Sequence, residues 1–300
     1  MAVKNLLELR GMVRPGMRKT VALVCAEDPH SLEALIHAKD IVRGLLIGDP
    51  EKIRETLRTL DADPSEFEIV PAPADVNPGT YACQLINQGR ADFLMKGKIM
   101  TNALLKGVLA KEAEMRTGNL ICGCVAIELP NYHKLLFTTD GGIVMYPDLE
   151  QKCGIIRNCV GFLHKLGYEE PNVGVLCALE TISPKMVETV EAAELARRNR
   201  DGEITGCHVE GPISYDVAMN AEIARIKGYP SDRCGNFDLL VAPNIACGNV
   251  LTQALICSAG GVSCGLVLGA RVPIVFSSRG SSAEEKYNSL LLASIVTGGN

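Results

Sequence analysis

The sequence predicts an α/β fold with mainly parallel sheets, and two observations carry that expectation. Apolar runs of strand length alternate with amphipathic helical patterns along most of the 300 residues, the rhythm of strands whose connecting helices pack on the sheet faces. Helix starts are marked. Asp49-Pro50 and Ser183-Pro184 each set an N-cap residue before a proline at the first helical position, where the missing N–H would have had no partner anyway. The rhythm breaks at Val125–Leu129 and Lys134–Thr138, joined only by Pro130-Asn131-Tyr132-His133. These predict a β-hairpin, at a domain edge or as a dimer arm.

In chain order the predicted strands are Thr20–Ala26, Gly44–Ile47, Phe67–Val70, Phe93–Met95, Val125–Leu129 and Lys134–Thr138. Val173–Ala178, Gly206–Glu210, Leu239–Val241, Val262–Val267 and Ile274–Phe276 follow. Each is a short apolar run too brief for a helix. Leu149–Leu166 predicts a helix that Gly167 ends, glycine being the usual residue just past a helix. Met186, Val187, Val190, Ala193, Leu195 and Ala196 recur at helical spacing and predict one buried face of the helix opened by Ser183-Pro184. There is no internal repeat.

Composition narrows the function. At 47% hydrophobic and 22% charged, the chain can bury the core of one large or two medium domains. A net charge of -5, no long basic run and no Trp argue against nucleic acid as a partner. The richest apolar stretch, Leu239–Phe276, is interrupted by Pro243, Asn244, Asn249, Gln253 and Arg271, so no membrane span is expected. The N-terminus lacks the apolar core of a signal peptide. The twelve cysteines are therefore expected as reduced thiols in the cytoplasm. No Cys-x-x-Cys occurs, and Cys122-Gly-Cys124 is too tight for zinc. Neither a metal nor a cofactor is expected.

Ligands of open α/β sheets bind beyond the carboxyl ends of the strands, so polar residues just after apolar runs draw attention. The richest such segment is Val272-Pro273-Ile274-Val275-Phe276 followed by Ser277-Ser278-Arg279-Gly280-Ser281-Ser282 and Ala283-Glu284-Glu285-Lys286. A helix N-terminus carries unpaired N–H groups and the positive end of its dipole. Hydroxyls and a guanidinium fork beside it suit a multiply charged anion, phosphate above all. The competing reading is a capping box, with Ser282 and Glu285 answering only each other's backbone; it leaves Arg279 and the other serines unexplained. Lys96-Gly97-Lys98 with Thr101 suits an anion equally well as it suits an ordinary turn. Thr139-Asp140-Gly141-Gly142, Asp216 after Glu210-Gly211-Pro212, and Asn244 with Asn249 are further strand exits that fit either a ligand or a turn. The Gly261-Val262-Ser263-Cys264-Gly265 run has a helical pattern before it and a strand after it, the reverse of a nucleophile elbow. Of the histidines, His208 lies nearest these segments.

In this order the segments resemble the phosphate acetyl/butyryltransferase family, and within it the butyryl-transferring branch. The resemblance runs from Val21–Asp28 through Phe93–Gly97, Arg116–Asn119, Thr139–Gly142, Pro147–Lys152, Glu210–Pro212 and Pro243–Asn249 to Ser278–Gly280. It implies reversible acyl transfer between CoA and inorganic phosphate by direct attack in a ternary complex. It also implies an isopropylmalate dehydrogenase-like fold with two α/β domains, residues 1–144 plus 279–300 and residues 145–278, and a cleft between them. A homodimer or larger homo-oligomer is expected. Carried over by motif, Arg279 neutralises phosphate, Ser278 hydrogen-bonds the developing oxyanion or thiolate, and Glu285 stands where acetyl-transferring members carry an Asp as base for the CoA thiol. Ser277, Gly280, Lys96, Thr101, Arg116, Thr139, Asp140, Asp216 and Asn249 are the expected substrate-binding residues. The alternatives are an acetyl-transferring enzyme, a non-catalytic acyl-CoA or phosphate binder, and a decarboxylating dehydrogenase on the related fold. The last would need a cluster of metal-binding aspartates that the sequence lacks.

Overall fold

The computed structural model describes residues 2–13, 16, 18–276 and 280–297. Its strands are β1 (Lys19–Val24), β2 (Val42–Gly48), β3 (Glu68–Pro71), β4 (Phe93–Lys96), β5 (Cys122–Glu128) and β6 (Leu136–Thr139). β7 (Asn172–Leu176), β8 (His208–Ile213), β9 (Leu239–Val241), β10 (Val262–Leu268) and β11 (Ile274–Val275) follow. Every predicted strand is present, shifted by a few residues at its ends. Among the described residues no helix is long and apolar enough to cross a membrane.

The chain divides into two compact units, here the terminal unit (Leu7–Asn119 with Cys264–Asn300) and the central unit (Leu120–Ser263 with Met1–Leu6). The divisions therefore fall at 119/120 and 263/264, against the 144/145 and 278/279 expected from the sequence.

In the terminal unit the strand order is β3-β2-β1-β4-β11-β10. The first five run parallel, and β10 is antiparallel to β11. Val21–Val24, Leu45–Ile47 and Phe93–Met95 are essentially sealed from water, as strands covered on both faces must be. Each Val, Leu, Ile, Phe and Met among them contributes about 1.5–3 kcal/mol of hydrophobic stabilisation. Asp28, Asn77 and Asp49 cap the helices Pro29–His37, Pro78–Asn87 and Pro50–Thr59, all with proline in the first turn. Gly97 is required by backbone crowding: a Cβ there would sit 2.3 Å from the carbonyl oxygen of Cys25. The helix Ala283–Val296 packs on the helix Pro29–His37.

In the central unit the order is β5-β6-β9-β7-β8. β6, β9, β7 and β8 run parallel, and β5 is antiparallel to β6. The predicted hairpin exists, but as an integral part of this sheet, because β6 also pairs with β9. That pairing groups residues 120–144 with the central unit. Phe137 sits edge-on to Phe162 and Tyr168 in its core, at centroid distances of 6.0 and 5.7 Å. The helix Leu149–Lys165 opens on an Asp148/Gln151 capping box and is followed by Gly167 at φ +85°, as predicted within a residue.

One predicted helix start is wrong. Ser183-Pro184 does not cap a helix; the helix runs Val187–Arg200, with Met186 at its N-cap position. The buried Thr189 hydroxyl accepts the Ser183 N–H and donates back to carbonyls of the 183–186 segment, folding it into a turn. The buried face is accordingly Thr189, Ala192, Leu195 and Ala196, while Val187 and Val190 stay exposed.

Candidate functional site

The parallel strands of the terminal unit end at Val24 (β1) and Lys96 (β4), and a cavity of about 430 Å³ opens beside these ends. Three segments line it: Asp28–Ser31 after β1, Lys96–Met100 after β4, and Lys286 from the helix Ala283–Val296. Local sequence builds each wall. Asp28 has extended backbone, caps the helix Pro29–His37 and accepts the Ser31 N–H at 3.1 Å. Gly97 and Lys98 donate their N–H groups to the carbonyls of Val24 and Cys25, so the second segment is laid along the end of β1. Lys286 reaches Asp28 Oδ2 at 3.4 Å and is only 2% exposed.

The electrostatics favour an anion. Lys96, Lys98 and Lys286 line the cavity against one carboxylate, Asp28. Burial works to raise the Asp28 pKa, but the hydrogen bond from Ser31 and the charge of Lys286 hold it below the usual carboxylate range. Asp28 is therefore an anion at neutral pH. Just past the end of β1, burial lifts the Cys25 thiol to about 11, helped by Glu27, so it is a poor nucleophile; in the central unit burial lifts Cys177 to about 12.

The expected site residues fall into three groups. Ser277, Ser278 and Arg279 lie outside the described residues. Lys96 is half-buried at the cavity wall, and Thr101 opens the helix Thr101–Val108 directly after Met100, which lines the cavity. Gly280 is an exposed turn residue. The capping box is real: Ser282 N–H donates to Glu285 Oε2 at 2.8 Å, and Glu285 N–H to Ser282 Oγ at 3.1 Å. Arg116 is exposed and donates from Nε to the Leu109 carbonyl at 2.6 Å.

In the central unit, Thr139 and Asp140 are buried at the end of β6. Thr139 Oγ1 donates to the Gly123 carbonyl. Asp140 accepts the N–H groups of Gly123, Gly142, Ile143 and Val144 at 2.8–3.2 Å. Both side chains thus fix the turn itself. Asn249 donates to the Gly141 carbonyl at 3.0 Å and holds the same turn from the helix Ile245–Cys257. Asp216 is exposed and ion-paired to Lys227 at 2.9 Å; hydrogen bonds from Ser214 and Lys227 pull its pKa to about 2. His208 sits at the first residue of β8, the end opposite to ligand-bearing strand exits, with Glu170 at 3.3 Å.

Asp28, Ser31 and Lys286 were missed as site residues. A signal existed: Lys286 falls at i, i+4, i+7 with the buried Leu290 and Ala293, so the last helix carries a lysine on an apolar stripe.

A parallel α/β sheet with a cationic cavity at its strand exits describes a class of proteins that hold phosphorylated ligands. Residues 67–294 match the family described as Phosphate acetyl/butaryl transferase, and the chain belongs to it, an acyltransferase family. Over 298 residues the sequence is 36% identical to a phosphate butyryltransferase of Clostridium acetobutylicum, covering 99% of both chains. It is 35% identical over 282 residues to a phosphate acetyltransferase of Thermotoga maritima, covering 93% of this chain and 96% of that one. Among solved structures, a branched-chain phosphotransacylase from Enterococcus faecalis V583 superposes with a TM-score of 0.82 at 27% identity, covering 95% of this chain and all of that one.

Proposed function

We propose that this acyltransferase moves a short-chain acyl group, butyryl in preference to acetyl, between CoA and inorganic phosphate. The observation that supports it is the cavity at the ends of β1 and β4, where Lys96, Lys98 and Lys286 outnumber Asp28. In the forward direction a phosphate oxygen attacks the thioester carbonyl carbon. The tetrahedral intermediate then collapses, the C–S bond breaks, and the CoA thiolate leaves and takes a proton. Arg279 neutralises the phosphate, Ser278 stabilises the oxyanion, and Glu285 passes the proton that the attacking hydrogen phosphate gives up to the leaving thiolate, and in reverse takes it from the CoA thiol. Glu285 does so while its Oε2 holds the capping hydrogen bond. No acyl-cysteine intermediate is needed, in keeping with the raised thiol pKa values of Cys25 and Cys177. CoA enters as a substrate, and no metal or cofactor takes part. The enzyme works in the cytoplasm as a homodimer or larger homo-oligomer.

The acyl class is read by measuring CoA release from butyryl-CoA, isobutyryl-CoA and acetyl-CoA in parallel, each against an enzyme-only blank because the protein's own thiols react with thiol reagents. Butyryl-CoA is expected to give the highest kcat/KM. A higher value for acetyl-CoA would make the chain an acetyltransferase instead. CoA binding with no release from any thioester would make it a non-catalytic binder.

A further inference from the structure

The cavity wall contains a residue whose burial the fold alone does not require. Lys286 is 2% exposed, and taking an ammonium out of water is costly unless it is closely paired. Its ion pair with Asp28 Oδ2 is long, at 3.4 Å, whereas tight charge-assisted hydrogen bonds lie near 2.7–2.9 Å. The same carboxylate oxygen also accepts the Ser31 N–H and the Ser31 hydroxyl, so Asp28 divides its charge among three donors. Such a pair adds little to stability over a well-packed apolar one. Yet it stands where the β1 and β4 exits, the start of the helix Pro29–His37 and two further lysines meet around one cavity.

We infer that Lys286 is a substrate-binding residue of this cavity: its ammonium, anchored by Asp28, takes a phosphoryl oxygen of the substrate. The inference rests on the acyltransferase reading. Phosphoryl oxyanions enter this reaction from two sources, inorganic phosphate and the phosphates of CoA, and their common chemistry is what the cavity recognises. A lysine ammonium suits either, being a compact point charge with three donors. Asp28 thereby has a task distinct from capping: it holds the ammonium at the wall when substrate is away and gives up part of it when substrate binds.

The test compares wild type with Lys286→Met, Lys286→Arg and Asp28→Asn. KM for phosphate, KM for butyryl-CoA and kcat are measured separately. Direct binding of inorganic phosphate and of adenosine 3′,5′-bisphosphate is followed by calorimetry. Lys286→Met is expected to raise one of the two KM values by roughly tenfold or more while kcat stays within about threefold. The matching probe should weaken by a similar factor, which identifies the source, and Lys286→Arg should recover most of the loss. Asp28→Asn keeps a capping residue but removes the counter-charge, so the affected KM is expected to hold or fall. Both KM values unchanged in Lys286→Met would overturn the inference. So would Asp28→Asn raising KM as much as Lys286→Met does, since the pair would then matter only as a packed unit. If Lys286→Met does not fold, Lys286→Gln, which keeps a polar head but no charge, takes its place and is judged by the same criteria. A wild type that binds both probes but releases no CoA with phosphate brings down the acyltransferase reading, while the probe measurements still judge Lys286.

Discussion

Asp28 and Asp140 both follow the carboxyl end of a parallel strand, and their surroundings give them opposite tasks. Asp140, in the central unit, is 2% exposed and accepts four backbone N–H groups from its own turn and the facing strand. Its charge is consumed by the protein. Asp28, in the terminal unit, is half-buried, caps one helix and faces the ammonium of Lys286 from another, at the wall of a cavity. Its charge is part of a balance that a ligand can alter. The partner, backbone amide or side-chain cation, separates a turn-forming carboxylate from one at a cavity wall.

Substitution separates the two most strongly through stability. Asp140→Ala removes a buried carboxylate that four N–H groups bond to and is expected to lower unfolding free energy by about 3 kcal/mol or more, read from a urea transition. Asp28→Asn keeps its capping oxygen and should lose less than about 1 kcal/mol. Equal losses would erase the distinction.

Glu285 tests the same idea within the last helix. Glutamine serves a capping box as well as glutamate but cannot carry the proton. Glu285→Gln is therefore expected to melt within a degree or two of wild type while turnover falls at least about tenfold, roughly 1.4 kcal/mol of transition-state stabilisation. Unchanged turnover would reduce Glu285 to a cap.

The smallest effect is a pH dependence. Asp28 has its folded pKa below its ordinary value. Its ionisation therefore stabilises the fold above the unfolded pKa of about 3.9, and that contribution is lost as pH falls through the folded value. Asp28→Asn has no such carboxylate. The difference in melting temperature between wild type and Asp28→Asn should thus shrink as pH falls below about 4. A difference that is constant from pH 7 to pH 3 would show that the Asp28 carboxylate is not stabilised in the fold. Asp216 titrates in the same window but is common to both proteins and cancels.

The sequence made the strands legible because their apolar runs are short and bounded, and Gly167 and the Ser282–Glu285 box because their signals are local. The Val187 helix start was misread because Ser183-Pro184 looks like a cap until the Thr189 hydroxyl claims the segment. The hairpin was seen, but its place inside a sheet depends on the distant β9. Asp140 and Asn249 hold their own turn together, and such a turn uses the same residue types as a turn that binds a substrate, so sequence cannot separate the two. The Asp28–Lys286 pair lies 258 residues apart in sequence, and no local pattern announces a contact of that span.

The most direct test of the account is CoA release from butyryl-CoA by wild type and by Arg279→Ala, with and without phosphate. The account predicts release by wild type only when phosphate is present, and a loss of at least about tenfold in Arg279→Ala. Release that ignores phosphate, or an Arg279→Ala enzyme as fast as wild type, would contradict it.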